Sequence, residues 1–393
     1  MKKTLAAVAV LGAFAGSALA ADVQLYGIVD TGLLYSHVDA DVANIDATDS
    51  FQMKSGMASG SRFGLKGTED LGNGLTVGFV LENGFDSDTG ADSGVFFDRE
   101  SSLFLEGGFG KVAFGQMGSL NSGKSSWAKY GMISAFGTSF TDYSAQAGSF
   151  AVGAGSWDNM ISYQTPTFAG FTVYAQYGMG NKVDGTNRNQ AAGKYGAENE
   201  SSSNRYYALG ATYANGPMNL YFAVDSINYA SATTVGGETQ VADVDDSLTV
   251  TLGGNFDFEV VKLFAGAQYF DEIETKNLKG LIGTDGVLGS TFASKMEGWG
   301  IGVSALIPAG PGAVLVGAGY MDAQAADSDS TDYDSDEMQR WVVSAGYDYV
   351  LSKRTDIYVA ATYMQDNISY TRSGAADQDA SVFGAMVGLR HKF

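Results

Sequence analysis

Apolar residues in this chain recur at a period of two, segment after segment, until it stops at an aromatic, Phe393. Reading back from that end, Phe393, His391, Leu389, Val387, Ala385 and Phe383 share one face, and Lys392, Arg390, Gly388, Met386 and Gly384 share the other. Successive side chains on a strand point to opposite faces, so each such segment is a strand with an apolar side and a wet or small-residue side. The pattern recurs at 23–33, 75–82, 171–177, 248–257 and 356–363; Phe171, Val173, Ala175 and Tyr177, for example, oppose Thr172, Tyr174 and Gln176. A soluble sandwich turns the polar face outwards and a membrane barrel turns it inwards onto water. Alternation alone is common to both.

The amino terminus points to export. Met1-Lys2-Lys3 is basic, 5–14 is apolar, and Ala18-Leu19-Ala20 is a small-residue cleavage site, which together predict a signal peptide over 1–20 and a mature chain of 21–393. A buried helix or membrane anchor is the competing reading, but the apolar run is short for a span, and no other stretch approaches the roughly 18 apolar residues that a helical span needs. A chain of this kind crosses a membrane only as a closed barrel, because lipid leaves no other way to satisfy the strand backbone.

Composition excludes several functions. There is no cysteine, hence no disulfide and no thiolate metal site. The formal charge is −21, or −23 once Lys2 and Lys3 leave with the leader, so nucleic acid is not a partner through a basic surface. Fifty-three glycines and 44 tyrosines and phenylalanines suit a barrel. His37 and His391, the only histidines, lie near opposite rims in this strand scheme and cannot form a catalytic pair.

Connection lengths separate barrel from sandwich. Short links recur near 71–74, 107–110, 165–170, 215–217, 257–259, 308–312 and 350–354; long polar links recur near 38–56, 87–95, 118–155, 181–203, 230–246, 272–294, 322–337 and 367–380. Pro166, Pro217, Pro308 and Pro311 fall at short links, as expected of a residue that cannot donate to a ladder. Seven short and eight long links join sixteen strands, with short turns on one side and long loops on the other, which is the arrangement of outer-membrane barrels. The expected fold is all-β: one 16-stranded antiparallel transmembrane barrel with short periplasmic turns and long extracellular loops, wide enough for an aqueous lumen.

Two local patterns invite other readings. Gly118-Ser119-Leu120-Asn121-Ser122-Gly123-Lys124-Ser125 matches the phosphate-binding pattern G-x-x-x-x-G-K-[ST]. A phosphate cradle needs a parallel sheet with crossover helices, whereas this chain has hairpin spacing throughout, and so glycine-rich a sequence produces the pattern by chance. No enzymatic activity is expected. The stretch 327–337 holds Asp327, Asp329, Asp332, Asp334, Asp336 and Glu337 without the spacing of a calcium loop. It reads first as a solvated acidic loop and second as a place where loosely bound divalent cations bridge to lipopolysaccharide phosphates. No other cofactor or metal is expected.

Four segments together carry a family resemblance: Asp22 to Gly32 (DVQLYGIVDTG), Ser61 to Leu75 (SRFGLKGTEDLGNGL), Leu351 to Thr355 (LSKRT) and Val387 to Phe393 (VGLRHKF). Across its mature length the chain resembles the general, non-specific porins of Gram-negative bacteria, in their neisserial and β-proteobacterial branch. The resemblance implies a homotrimer in the outer membrane and a third loop, 118–155, folded into the barrel. It also implies that the barrel-assembly machinery reads Phe393 as an assembly signal, and that small hydrophilic solutes and ions pass by diffusion.

Selectivity would then reside in a constriction, whose width and charged walls set what passes. Arg62 and Lys66 share parity opposite Phe63 and Leu65 and should point inwards; an arginine matching Arg62 lines the constriction in the family. Arg99 matches a second family arginine, yet it shares parity with the lipid-facing Leu103 and Leu105, so only a bulge brings it inside. Glu82 and Asp30 supply negative charge to the lumen. Loop 118–155 carries Lys124 and Lys129 against one acid, Asp142, so the constriction is expected to favour anions. Screening over about 10 Å in 0.1 M salt lets the narrowest point dominate the acidic vestibule. The runner-up is a substrate-preferring channel of the same fold for sugars, phosphate or carboxylates, with Tyr130, Phe136, Phe140 and Tyr143 as a sugar slide.

Overall fold

A computed structural model of the protein describes residues 23–41, 46–92, 95–137, 149–151, 155–182, 203–230, 232–235, 238–241, 245–274, 295–326, 336–370 and 376–393. The expected leader, Asp142, Phe140, Tyr143 and most of the 327–337 stretch lie outside these residues. The strands are β1 (Gln24–Asp39), β2 (Thr48–Ser55), β3 (Arg62–Gly72), β4 (Leu75–Gly84), β5 (Glu100–Gly107), β6 (Gly110–Gly118), β7 (Ser156–Gln164), β8 (Phe171–Lys182), β9 (Ser203–Asn215) and β10 (Met218–Asn228). A small hairpin, β11 (Ala232–Val235) and β12 (Glu238–Val241), stands apart from the main sheet. Then follow β13 (Leu248–Asp257), β14 (Lys262–Glu274), β15 (Lys295–Ala309), β16 (Gly312–Ala325), β17 (Glu337–Ser352), β18 (Thr355–Ser369) and β19 (Gln378–Lys392).

From β3 onwards each barrel strand pairs antiparallel with the next, β10 passing to β13 across the small hairpin, and β19 returns to β1, with Ile28 opposite Lys392 and Asp39 opposite Ser381. β1 meets β2 over Thr31–Val38 and β3 over Gln24–Ile28, so β2 and β3 are two halves of one barrel strand broken at 56–61. The result is a closed barrel of sixteen strands. Its seven short turns fall at the expected positions; Gly72-Asn73-Gly74, for instance, all take positive φ (83°, 53°, 74°), which glycine and asparagine tolerate best. Pro308 departs from expectation by lying inside β15, at its turn end opposite Ala313. The first loop is also shorter than expected. The stretch 48–55 is polar enough to resemble a loop, yet Phe51 and Met53 alternate outwards and the segment pairs fully with β1.

The two faces of the sheet are inverted relative to a soluble protein. Leu209, Leu252, Ile301, Val303, Val343 and Val359 are exposed on the outside, with Leu209 63% exposed, whereas Ser162, Thr249 and Thr251 inside are fully buried. Outside, aromatic side chains gather in two belts. Towards the loop end are Tyr35 with Phe383, Tyr177 with Tyr207, Trp299 with Tyr320 and Trp341 with Tyr363; towards the turn end are Phe171 with Tyr213 and Tyr347 with Tyr349. Amphipathic rings at two levels flanking an aliphatic band mark the headgroup regions of a bilayer.

Inside, the third long loop lies against the lumenal wall. Leu120, Trp127, Tyr130, Ile133 and Phe150 bury themselves with wall residues Phe104, Met117, Trp157, Met160, Tyr206 and Tyr221. Hydrogen bonds reinforce this packing. Gln176 accepts Leu120 N–H at 3.0 Å and donates to Gly118 O at 3.2 Å; Asn255 donates to Met132 O at 2.8 Å; Ser304 Oγ accepts Ala135 N–H at 3.0 Å. Asn121 bonds to Asp225 and accepts Tyr221 OH at 2.7 Å. Wall glycines make the seat: a Cβ at Gly253 would come 2.6 Å from Ile133, and one at Gly300 1.7 Å from the Ser149 carbonyl.

The chain end completes the closure. Gly27 and Phe393 exchange both backbone hydrogen bonds, each 3.1 Å, and the Phe393 ring lies over Gly27 on the outer face, where a Cβ would come 2.4 Å from Cζ. Deleting Phe393 removes both bonds, about 2 kcal/mol at about 1 kcal/mol each, as well as the ring contact. The expected result is a several-fold drop in the fraction of protein that refolds in detergent to an SDS-resistant, heat-modifiable form. An unchanged fraction would show that the closing pair is dispensable.

Candidate functional site

β3 and β4 bring the first charged residues together. With Phe63 and Leu65 turned outwards, Arg62 and Lys66 face the lumen, and the register sets Glu82 opposite Gly64, between them. Tyr26 on β1 donates its hydroxyl to Glu82 Oε2 at 3.0 Å and lies under the Lys66 ammonium, 5.3 Å from ring centre to Nζ.

Arg99 also points inwards, and no bulge is needed. The ladder of β5 begins at Glu100, so Arg99 belongs to the preceding bend and is freed from strand parity. Its Nε donates to Glu82 Oε1 at 2.6 Å, while Arg62 Nε stands 3.6 Å from Oε2. Glu82 therefore does not add free negative charge to the lumen; it clamps two guanidiniums. Asp30 likewise is fully buried and engaged by backbone N–H groups.

Loop residues face this wall. Lys129 extends over the Tyr174 ring at 4.9 Å. Burial, and then the charge of Lys111, lower its pKa to about 8 against the opposing pull of Glu100. Arg62, Lys66, Arg99 and Lys129 line one cavity of about 490 Å³ with Tyr26, Glu82, Glu100 and Ser126. Lys124 is not part of that lining; it pairs with Asp98 at 3.2 Å. Asp142 lies outside the described residues.

Three participants escaped the sequence reading. Glu100 accepts Ser126 N–H at 2.7 Å and the hydroxyls of Ser126 and Ser102 at 3.0 and 2.7 Å, fastening the loop to β5. Lys111 sits 3.8 Å over the Phe104 ring and 5.5 Å from that of Trp127, on the turn side of the loop. Both were legible, since Glu100 shares parity with Ser102, and Val112 and Phe114 alternate against Lys111. Asp98, the Lys124 partner, lies in an irregular bend where no periodicity applies.

Among the described residues, the other patterns read from the sequence are held in structural contacts. The phosphate-loop look-alike opens the third loop after an antiparallel strand; Ser122 Oγ donates to the Ser119 carbonyl at 2.7 Å. His37 pairs with Asp49 at the loop end of the outer face, and His391 with Thr355 at the turn end. Tyr130 and Phe136 are buried by packing rather than displayed to the lumen.

A closed antiparallel barrel, apolar outside and polar within, with a charged passage beside an inward loop, is a membrane-spanning channel. The chain belongs to the Gram-negative porin family, whose model matches residues 6–369. An outer membrane porin protein of Bordetella pertussis is 35% identical over the full length of both chains, and outer membrane porin protein 32 of Delftia acidovorans is 33% identical, also over both full lengths. Among solved structures, an anion-selective porin from Comamonas acidovorans aligns with a TM-score of 0.64 at 26% identity, covering 95% of this chain and 100% of that one. The protein is a general porin of the outer membrane.

Proposed function

We propose that this porin favours small anions, and that the bias is set where the β3–β5 wall faces the third loop. The observation that carries the reading is the charge balance of that passage. Four cations, Arg62, Lys66, Arg99 and Lys129, meet two carboxylates, and both are occupied, Glu82 by two arginines and Glu100 by Ser126 and Ser102. The anion selectivity of the Comamonas relative points the same way. Neutral solutes pass by size alone. Liposome swelling tests this directly: sugars should enter in order of size without saturation, and an organic anion should enter faster than a cation of equal size. Saturable uptake of one sugar class would instead favour a substrate-preferring channel.

Lys129 gives the bias a pH dependence. A lysine whose pKa lies near 8 is charged below that value and neutral above it. Anion preference should therefore fall between pH 7 and pH 9, and Lys129→Met should be weaker at pH 7 and flat across the interval. A wild-type preference that is also flat would show that Lys129 does not face the permeating ions.

The functional unit is a homotrimer. No tyrosine or tryptophan occurs between Tyr35 and Trp127, so the outer face of β2 to β6 lacks the amphipathic belt residues present elsewhere and offers Leu65, Phe79, Leu81, Leu103 and Phe114 to a neighbour. Lipopolysaccharide, bridged by loosely held divalent cations at the acidic loops, and the barrel-assembly machinery reading Phe393 complete the set of partners.

A further inference from the structure

The break at 56–61 is a knuckle that folds into the lumen, and its shape is dictated from across the sheet. Asp30 Oδ2 accepts the N–H groups of Ala58 at 3.0 Å and Ser59 at 2.6 Å, while Oδ1 accepts Tyr358 OH at 2.5 Å. The Asp30 carbonyl accepts Gly56 N–H at 2.9 Å and Ser61 Oγ at 3.0 Å. Gly56, at φ 70°, makes the turn into the knuckle, and Met57 and Ala58 bury themselves with Leu34, Tyr358 and Met386. Arg390 donates to Ser59 Oγ at 2.9 Å from the far side.

The knuckle ends where the arginine pair begins. The Gly60 carbonyl accepts Arg62 Nη1 at 2.9 Å, and Gly60 lies against Arg99, where a Cβ would come 3.2 Å from Nη1. Glu82 holds Arg99 tightly at 2.6 Å but Arg62 only at 3.6 Å. Two guanidiniums repel, so without the Gly60 carbonyl Arg62 has little to keep it beside Arg99 and is free to swing along the water-filled lumen.

We propose that Asp30 is a positioning residue for ion selectivity: by folding 56–61 inwards it presents the Gly60 carbonyl to Arg62 and fixes the two guanidiniums side by side at Glu82. The proposal rests on the reading of Arg62 and Arg99 as selectivity groups. It gives a carboxylate buried in the wall of a channel a role other than lining the passage.

The test is the zero-current potential across a KCl gradient for the purified full-length protein in planar bilayers. Asn at position 30 keeps the size but loses the charge, and its single oxygen cannot serve both the Ala58 and Ser59 N–H groups and the Tyr358 hydroxyl as the two carboxylate oxygens do. Arg62→Gln should lower the anion-to-cation permeability ratio about threefold, and Asp30→Asn about twofold with conduction retained. The double variant should fall no further than Arg62→Gln alone. Ser344→Ala, which breaks the buried hydroxyl bond with Thr362 on the inner wall without changing charge, should leave the ratio unchanged. Should Asp30→Asn fail to assemble, Gly60→Val, which keeps the Asp30 bonds and drives a side chain at Arg99, should give the same loss. The proposal is overturned if Arg62→Gln shifts the potential while Asp30→Asn and Gly60→Val do not, or if the effects of the double variant multiply. An unaltered potential in Arg62→Gln would instead remove the selectivity reading beneath it, and the proposal with it.

Discussion

Replacing Arg62 and Arg99 together with glutamine should turn the channel from anion-preferring to cation-preferring. The two arginines flank one carboxylate, Glu82, at 3.6 and 2.6 Å, so the double substitution removes two positive charges and also releases a negative one. In water one unit charge about 7 Å from a permeating ion is worth about 0.6 kcal/mol, roughly a threefold bias, and a low-dielectric wall increases it. Two charges lost and Glu82 uncovered should change the permeability ratio by about tenfold. Glu82→Gln should act in the opposite direction. Zero-current potentials of the two variants check the sign; a double variant that stays anion-preferring would locate the bias elsewhere in the lumen.

Gly300→Val should enlarge the passage. Gly300 on β15 faces inwards, where a Cβ would come 1.7 Å from the Ser149 carbonyl and 3.1 Å from the Phe150 ring, and backbone cannot yield by moving a rotamer. The loop end must lift, taking Phe150 off its contacts with Gly266 and Tyr130. Single-channel conductance should rise roughly twofold as the narrowest section widens, with a weaker ion preference. Ala318→Val, on the outward face of the neighbouring β16, adds the same bulk without meeting the loop and should change neither quantity. An unchanged conductance in Gly300→Val would mean that the 149–151 seat does not set the width.

The parts of this molecule governed by periodicity were readable from residue order. Alternation set Arg62, Lys66 and Glu82 inwards and Phe393 outwards, and turn chemistry located all seven short connections. What alternation cannot describe is chain that leaves strand geometry. Arg99 turned inwards because its strand starts one residue later, and the 56–61 knuckle was invisible because a polar stretch flanked by serines and glycines reads as plain loop. Charge counting failed for a related reason. Asp30 and Glu82 count as lumenal negative charge in sequence, but Glu82 is paired with Arg62 and Arg99, and Asp30 is buried against the knuckle and Tyr358, away from the passage. The chain carries a net charge of −21, yet its passage is lined by a majority of cations, a distribution that composition cannot express.

The most direct measurement is the zero-current potential of the wild-type protein in planar bilayers across a tenfold KCl gradient at neutral pH. A potential whose sign corresponds to chloride passing more readily than potassium is the predicted result. A potential of the opposite sign would show that the acidic vestibule, not the Arg62–Arg99–Lys129 passage, governs what crosses.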